Sequence, residues 1–141
     1  MKKLTGLLLL MICFTGAFSQ VTASVTGQIT LAFCASVDQN GVCIFDNTKF
    51  ISAKDSTTGR VFMEVRSAGS PIGANAVVFK IYKLEGGKET FVTLLNQAIK
   101  PDWYFAWMPY SFNSPGKYAV KIFDENDKMI CSNAFEYLPF K

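Results

Sequence analysis

The chain has 141 residues, of which 50% are hydrophobic, with 14 basic side chains, 11 acidic ones and no histidine. That size suits one domain, and that hydrophobic share argues against disorder. The missing histidine excludes Ser-His-Asp and Cys-His nucleophilic catalysis and the usual zinc and iron sites, and no Walker loop or G-x-G-x-x-G stands anywhere in the chain.

The first zone reads as a cleavable export signal. Lys2 and Lys3 precede an apolar run from Leu4 to Phe14, and Ala17-Phe18-Ser19 offers small residues at the two positions a signal peptidase reads. The run is too short for a spanning helix, which takes about 20 residues. An uncleaved anchor is therefore disfavoured, and a lipoprotein would need a small residue before its acceptor cysteine, whereas Cys13 follows Ile12. Cleavage after Ser19 makes 1–19 the signal and leaves one domain over 20–141, outside the cytoplasm, in the periplasm or beyond. It also leaves 12 basic against 11 acidic side chains, a net charge of +1. With no basic run, nucleic-acid binding has no electrostatic basis, and no later stretch reads as a membrane span.

Short runs rich in Val, Ile, Phe, Tyr and Thr then recur between turn signals. Val25 to Cys34 is the first strand, a candidate sheet edge that a partner's strand could extend. Val42 to Phe45 follows. The turn pair Asn40-Gly41 between them puts Cys34 and Cys43 on either side of a short loop, so these two are the favoured disulfide. The alternative keeps all three mature cysteines reduced in the core. Cys131 is left as a buried free thiol or an intermolecular partner.

Gly59 to Ala68 alternates, with Val61, Met63 and Val65 on one face and Glu64 and Arg66 on the other. After the turn cluster Gly69 to Gly73, Ala76 to Leu84 forms a strand with Val77, Phe79 and Ile81 inward. Glu85 to Lys88 turns the chain into Thr90 to Leu95. Asn96 to Lys100 is expected to hold a helical turn, which Pro101 would end. Trp103 to Met108 is an aromatic strand, part of a ten-residue stretch holding Trp103, Tyr104, Phe105, Trp107 and Tyr110. The turn Asn113 to Gly116, the strand Lys117 to Phe123, the turn Asp124 to Asp127 and the strand Met129 to Leu138 complete the pattern. Seven to eight strands at this spacing predict an all-β, antiparallel two-sheet sandwich, with a small barrel as runner-up.

Ser114-Pro115-Gly116-Lys117-Tyr118-Ala119-Val120 resembles the entry to the penultimate strand of immunoglobulin-like and fibronectin-type-III-like sandwiches. The resemblance implies that Gly116 serves the turn and that Tyr118 is a corner tyrosine bonding back to the backbone. Val120 stands where antibody domains carry their second core cysteine, so their inter-sheet disulfide is absent. The superfold carries no single function. Gly116 to Val120 also resembles sorting domains of a dedicated bacterial outer-membrane secretion route, but their Pro-Asn-Pro opening is missing here.

Three function classes remain. The first is a non-catalytic binding or structural module acting through its surface on a protein or glycan. The second is a carbohydrate-binding module whose Trp103, Tyr104, Trp107 and Tyr110 stack on sugars or anchor a ligand. The third is a hydrolase pairing two of Glu64, Asp102 and Glu136. Glu64 and Glu136 read more simply as outward residues of half-exposed strands. The plain expectation for the aromatic strand is that Trp103, Phe105 and Trp107 fill the core, with Tyr104 under the 96–100 connection. Asp124 to Asp127 is oxygen-rich, yet it fails the calcium-loop pattern and reads as a solvated turn. No cofactor and no metal are implied.

Overall fold

The computed structural model describes residues 28–46, 48–51 and 59–138. The export signal, its cleavage point and the start of the first expected strand lie outside the described residues. Nine strands follow one another: β1 (Ile29–Val37), β2 (Cys43–Asp46), β3 (Lys49–Ile51), β4 (Gly59–Ser67), β5 (Ala76–Glu85), β6 (Lys88–Ala98), β7 (Phe105–Phe112), β8 (Gly116–Asp124) and β9 (Met129–Leu138). They build two sheets, ordered β2-β1-β4-β7 and β3-β9-β8-β5-β6. The fold is therefore an all-β, immunoglobulin-like sandwich.

Alternation explains which residues meet inside. Leu31 and Phe33 of β1 lie opposite Val65 and Met63 of β4, and Val77, Phe79 and Ile81 of β5 run beside Ile122 and Val120 of β8. All of these are buried. Aromatic rings fill one end of the core, with Phe112 against Tyr118 at 4.6 Å and against Phe135 at 5.0 Å between centroids. Tyr118 is buried among them and its hydroxyl donates to the Ser114 carbonyl at 2.6 Å. Gly116 opens β8 at φ 151°, a left-handed conformation that side-chain-bearing residues avoid.

Four details differ from the sequence expectation. The strand count is nine rather than seven to eight, and β3 pairs with β9 in parallel, Lys49 opposite Glu136. β1 is a sheet edge only in part: Cys34 to Val37 pairs with β2, whereas Ile29 to Phe33 has β4 as its one strand partner among the described residues. No helical turn forms at 96–98; β6 runs on to Ala98, held by Asn96 and Gln97 opposite Val78 and Val77 of β5. Ladder bonds to β5 outweigh the local turn preference there.

The fourth concerns β7. It starts at Phe105 and continues to Phe112, past the expected end at Met108. Its inward residues are Ala106, Met108, Tyr110 and Phe112, opposite Val65, Met63, Val61 and Gly59 of β4. Phe105 and Trp107 point to the outer face, the reverse of the core-filling expectation. The core face of β4 is fixed by three aliphatic residues, and that register decides which face of β7 turns inward.

Candidate functional site

The outer face of the β2-β1-β4-β7 sheet is covered rather than bare. The β1–β2 hairpin folds back across it, and its contacts show how. Cys34 points outward from β1 yet is fully buried, and it is bridged to Cys43 with the Cα atoms 5.5 Å apart. The Cys43 N–H donates to Glu64 Oε2 at 2.8 Å, and Arg66 Nε donates to Glu64 Oε1 at 2.7 Å. Glu64 is thus 3% exposed, not the solvated outward residue its alternation suggested. Its carboxylate is committed to holding the hairpin down.

The hairpin tip is a tight turn built by Asp38. Its Oδ1 accepts from the Asn40 and Val42 N–H groups, both at 2.8 Å, while the Gly41 N–H donates to the Asp38 carbonyl at 3.0 Å. Gly41 sits at φ 74°, and a Cβ there would lie 2.8 Å from the Phe105 ring and 2.9 Å from Trp107 Nε1. Only glycine lets the tip rest on these two rings. Arg66 lies over the Phe105 ring, with 5.3 Å from Cζ to the ring centroid, and Trp107 meets the Phe62 ring at 5.7 Å.

Between this tip and the edge of β7 runs a groove of about 730 Å³, lined by Asp38–Gly41, Gln97 and Asp102–Met108. The volume is in the range of small-ligand sites. Both faces of β7 contribute: Phe105 and Trp107 from outside, Ala106 and Met108 from inside. The groove therefore wraps around an edge strand instead of lying on one face. Gln97 of β6 closes the inner side, and its Oε1 is buried without a hydrogen bond to any described residue. Leaving such an acceptor unmatched costs about 1–3 kcal/mol.

The loop before β7 presents the exposed rings. Trp103 is 41% and Tyr104 48% exposed. Their backbone is fixed from three sides: Trp103 N–H to the Lys100 carbonyl at 3.0 Å, the Trp103 carbonyl to the Ile72 N–H at 2.7 Å, and the Tyr104 carbonyl to the Ser67 N–H at 2.8 Å. The rings are thus held on a rigid loop. No Lys or Arg lines the groove, while Asp38 and Asp102 do.

Of the four ring candidates from sequence, the structure gathers Trp103, Tyr104 and Trp107 in the groove. It does not bring Tyr110 there; Tyr110 turns inward and meets Phe112 edge-on at 4.8 Å. Sequence reasoning missed the Asp38–Gly41 wall and Gln97. The Asn40-Gly41 turn signal was visible, but where the hairpin would fold was not.

The other chemistry considered falls to structural roles. Glu136 pairs with Lys49 at 3.9 Å. Asp124 Oδ1 accepts from the Asn126 and Lys128 N–H groups at 2.9 Å, Asp127 pairs with Lys80 at 2.6 Å, and Glu125 binds Asn75 at 2.9 Å. That acidic run is a structured turn. Among the described residues no group of three or more Cys, Asp or Glu side chains is placed to hold a metal ion. Cys131 is free and half-buried, and burial pushes its thiol up to about 11.

No family model matches the chain, and no curated protein matches its sequence. Solved structures do resemble it. An immunoglobulin-like protein from Pseudomonas aeruginosa aligns with TM-score 0.50 and 13% identity, over 77% of this chain and 91% of that one. A Niemann-Pick type C2 protein from the Japanese carpenter ant aligns with TM-score 0.45 and 11% identity, over 81% of this chain and 92% of that one. A β-glucosidase from Listeria innocua aligns with TM-score 0.41 and 10% identity, over 82% of this chain but 16% of the enzyme. At 13% identity the likeness to the Pseudomonas aeruginosa protein shows the immunoglobulin-like fold alone.

Proposed function

We propose that this immunoglobulin-like sandwich is an exported, non-catalytic recognition module whose ligand lies in the groove along β7. One observation carries the reading: Trp107 and Phe105 line an open groove beside the exposed Trp103 and Tyr104, where the sequence pattern would have put them in the core. Aromatic rings held rigidly at a solvent-facing cleft are the commonest anchors of recognition. The Cys34–Cys43 bridge supports export, since such bonds persist in oxidising compartments. The committed state of Glu64 and Glu136 supports a role without catalysis.

A second reading has its own support. Asp38, Gln39, Asn40 and Asp102 border the same rings, and acids and amides beside an aromatic platform suit a neutral sugar.

The test is direct, because the chain has 2 tryptophans and both line the groove. Tryptophan emission, excited beyond the absorption of tyrosine, therefore reports on this site. Titration with a panel of glycans and linear peptides is expected to shift the emission with at least one class, and Trp107→Ala to weaken that binding about tenfold or more. Emission unmoved by every compound, or binding untouched in Trp107→Ala, would overturn the proposal.

A further inference from the structure

We infer that the groove takes an extended peptide segment, free of acidic residues and carrying Lys or Arg, which adds as a strand to the open edge of β7. The inference rests on the groove being the recognition site and names what fills it. β7 ends its sheet, with β4 as its one strand partner among the described residues. Which of its backbone groups are free follows from one hydrogen bond. The Ser67 N–H donates to the Tyr104 carbonyl at 2.8 Å, so Ser67 and Tyr104 form a hydrogen-bonded pair of the antiparallel ladder. Such pairs alternate along the strands. Ala106 and Met108 therefore direct their N–H and C=O groups at Val65 and Met63, and Phe105 and Trp107 direct theirs outward into the groove.

Pro109 supports this register independently. It belongs to the outward set, where a residue with no N–H loses no ladder bond, the position proline tolerates on an edge strand. It also withholds the next donor, so the open stretch of edge is Phe105 to Trp107, the part that lines the groove.

The shape fits a strand better than a flat ring. Side chains of an added strand alternate between two faces. The groove offers a wall on each: Trp107 and the Gly41 tip outside, Ala106, Met108 and Gln97 inside. On the inner wall Gln97 lines the groove, although its Oε1 is itself buried. The charge selects the sequence, since Asp38 and Asp102 line the groove with no basic residue, and nearby Arg66 is already paired with Glu64 at 2.7 Å. Main-chain bonds would then supply affinity and the two walls specificity.

The probe is a phage-displayed library of random linear peptides selected on the purified protein. The expected winners lack Asp and Glu, contain Lys or Arg, and shift the tryptophan emission. Bound peptide is expected to slow amide exchange at Phe105 and Trp107 by about tenfold or more, leaving the already bonded Ala106 and Met108 amides unchanged. Phe105→Pro removes an outward donor and the ring, whereas Phe105→Ala removes only the ring. The proline variant is expected to bind the selected peptide about tenfold more weakly than the alanine variant. Equal binding by the two variants, or bound peptide that leaves both outward amides exchanging freely, overturns strand addition. So does protection of the same amides by self-association without peptide. A glycan that shifts the emission with no amide protection also overturns it, yet leaves the recognition groove standing.

Discussion

At the scale of single residues, Cys131 shows how position suppresses reactivity. Its thiol lies in β9 beside Ile122 of β8, half-buried against the core. Burial disfavours the thiolate and pushes the pKa up to about 11. At pH 8 only about one molecule in a thousand carries the reactive thiolate. Native protein lacking residues 1–19 is expected to resist iodoacetamide at that pH, and the same protein denatured without reductant to take up one carbamidomethyl group per chain, read by mass spectrometry. Rapid labelling of the native state would contradict the burial. Glu64 is the opposite case, a residue whose alternation was legible but whose surroundings were not. Its place on the outer face of β4 follows from Val61, Met63 and Val65 pointing inward. That a hairpin twenty-one residues upstream folds over it is a long-range fact no local pattern encodes.

At the scale of elements, the β1–β2 hairpin is the part whose placement matters most. Two ties hold it to the outer face: the disulfide, worth about 2.7 kcal/mol for a loop of this size in the chain-entropy model, and the Cys43 N–H to Glu64 bond. Glu64→Ala leaves that amide and Arg66 without their acceptor. The expected cost is about 2 kcal/mol, a fall in Tm of about 5–10 °C, with the disulfide still formed. Calorimetry beside a thiol assay checks both, and an unchanged Tm would show that the carboxylate does not hold the hairpin. Most strands were readable from alternation because one face of each is buried. β7 was misread because both faces are apolar, so its own pattern carries no preference. The choice was made by the register against β4, with Val65 opposite Ala106 and Met63 opposite Met108. The Asp38 and Asp124 turns illustrate what local sequence does encode. Both read Asp-x-Asn followed by a residue at positive φ, Gly41 at 74° and Asp127 at 62°, and both fold with the aspartate accepting two N–H groups.

At the scale of the whole molecule, the loop before β5 is tied to the β8–β9 turn by the contact between Asn75 and Glu125. Glu125 accepts its own N–H and the side-chain and backbone N–H of Asn75, which lowers its pKa below the usual 4.5. A carboxyl whose folded pKa is depressed contributes stability that is present above the unfolded value and lost as pH falls through the folded one. Asn75→Ala is therefore expected to melt below wild type at neutral pH. The gap should close as pH drops through and below 4.5. A gap of constant size across that acid range would assign the effect to packing instead. The sandwich itself was legible because strand length, turn spacing and the Gly116–Tyr118 corner agree with one another. The groove was not, because it exists only where β7, the 102–104 loop and the returning hairpin meet.

The closed ring from Cys34 to Cys43 has a consequence for how such a protein changes over time. One wall of the groove is carried by a covalent loop anchored at its base, with Gln39 and Asn40 at the tip and in contact with the groove. Asp38 and Gly41 set the turn, and Glu64 sets its seat. Asn40 belongs to the Asp-x-Asn turn pattern, so Gln39 is the tip side chain free of these duties. The lining of the proposed recognition groove can therefore drift, or be diversified in a library, at a position that the turn itself does not consult.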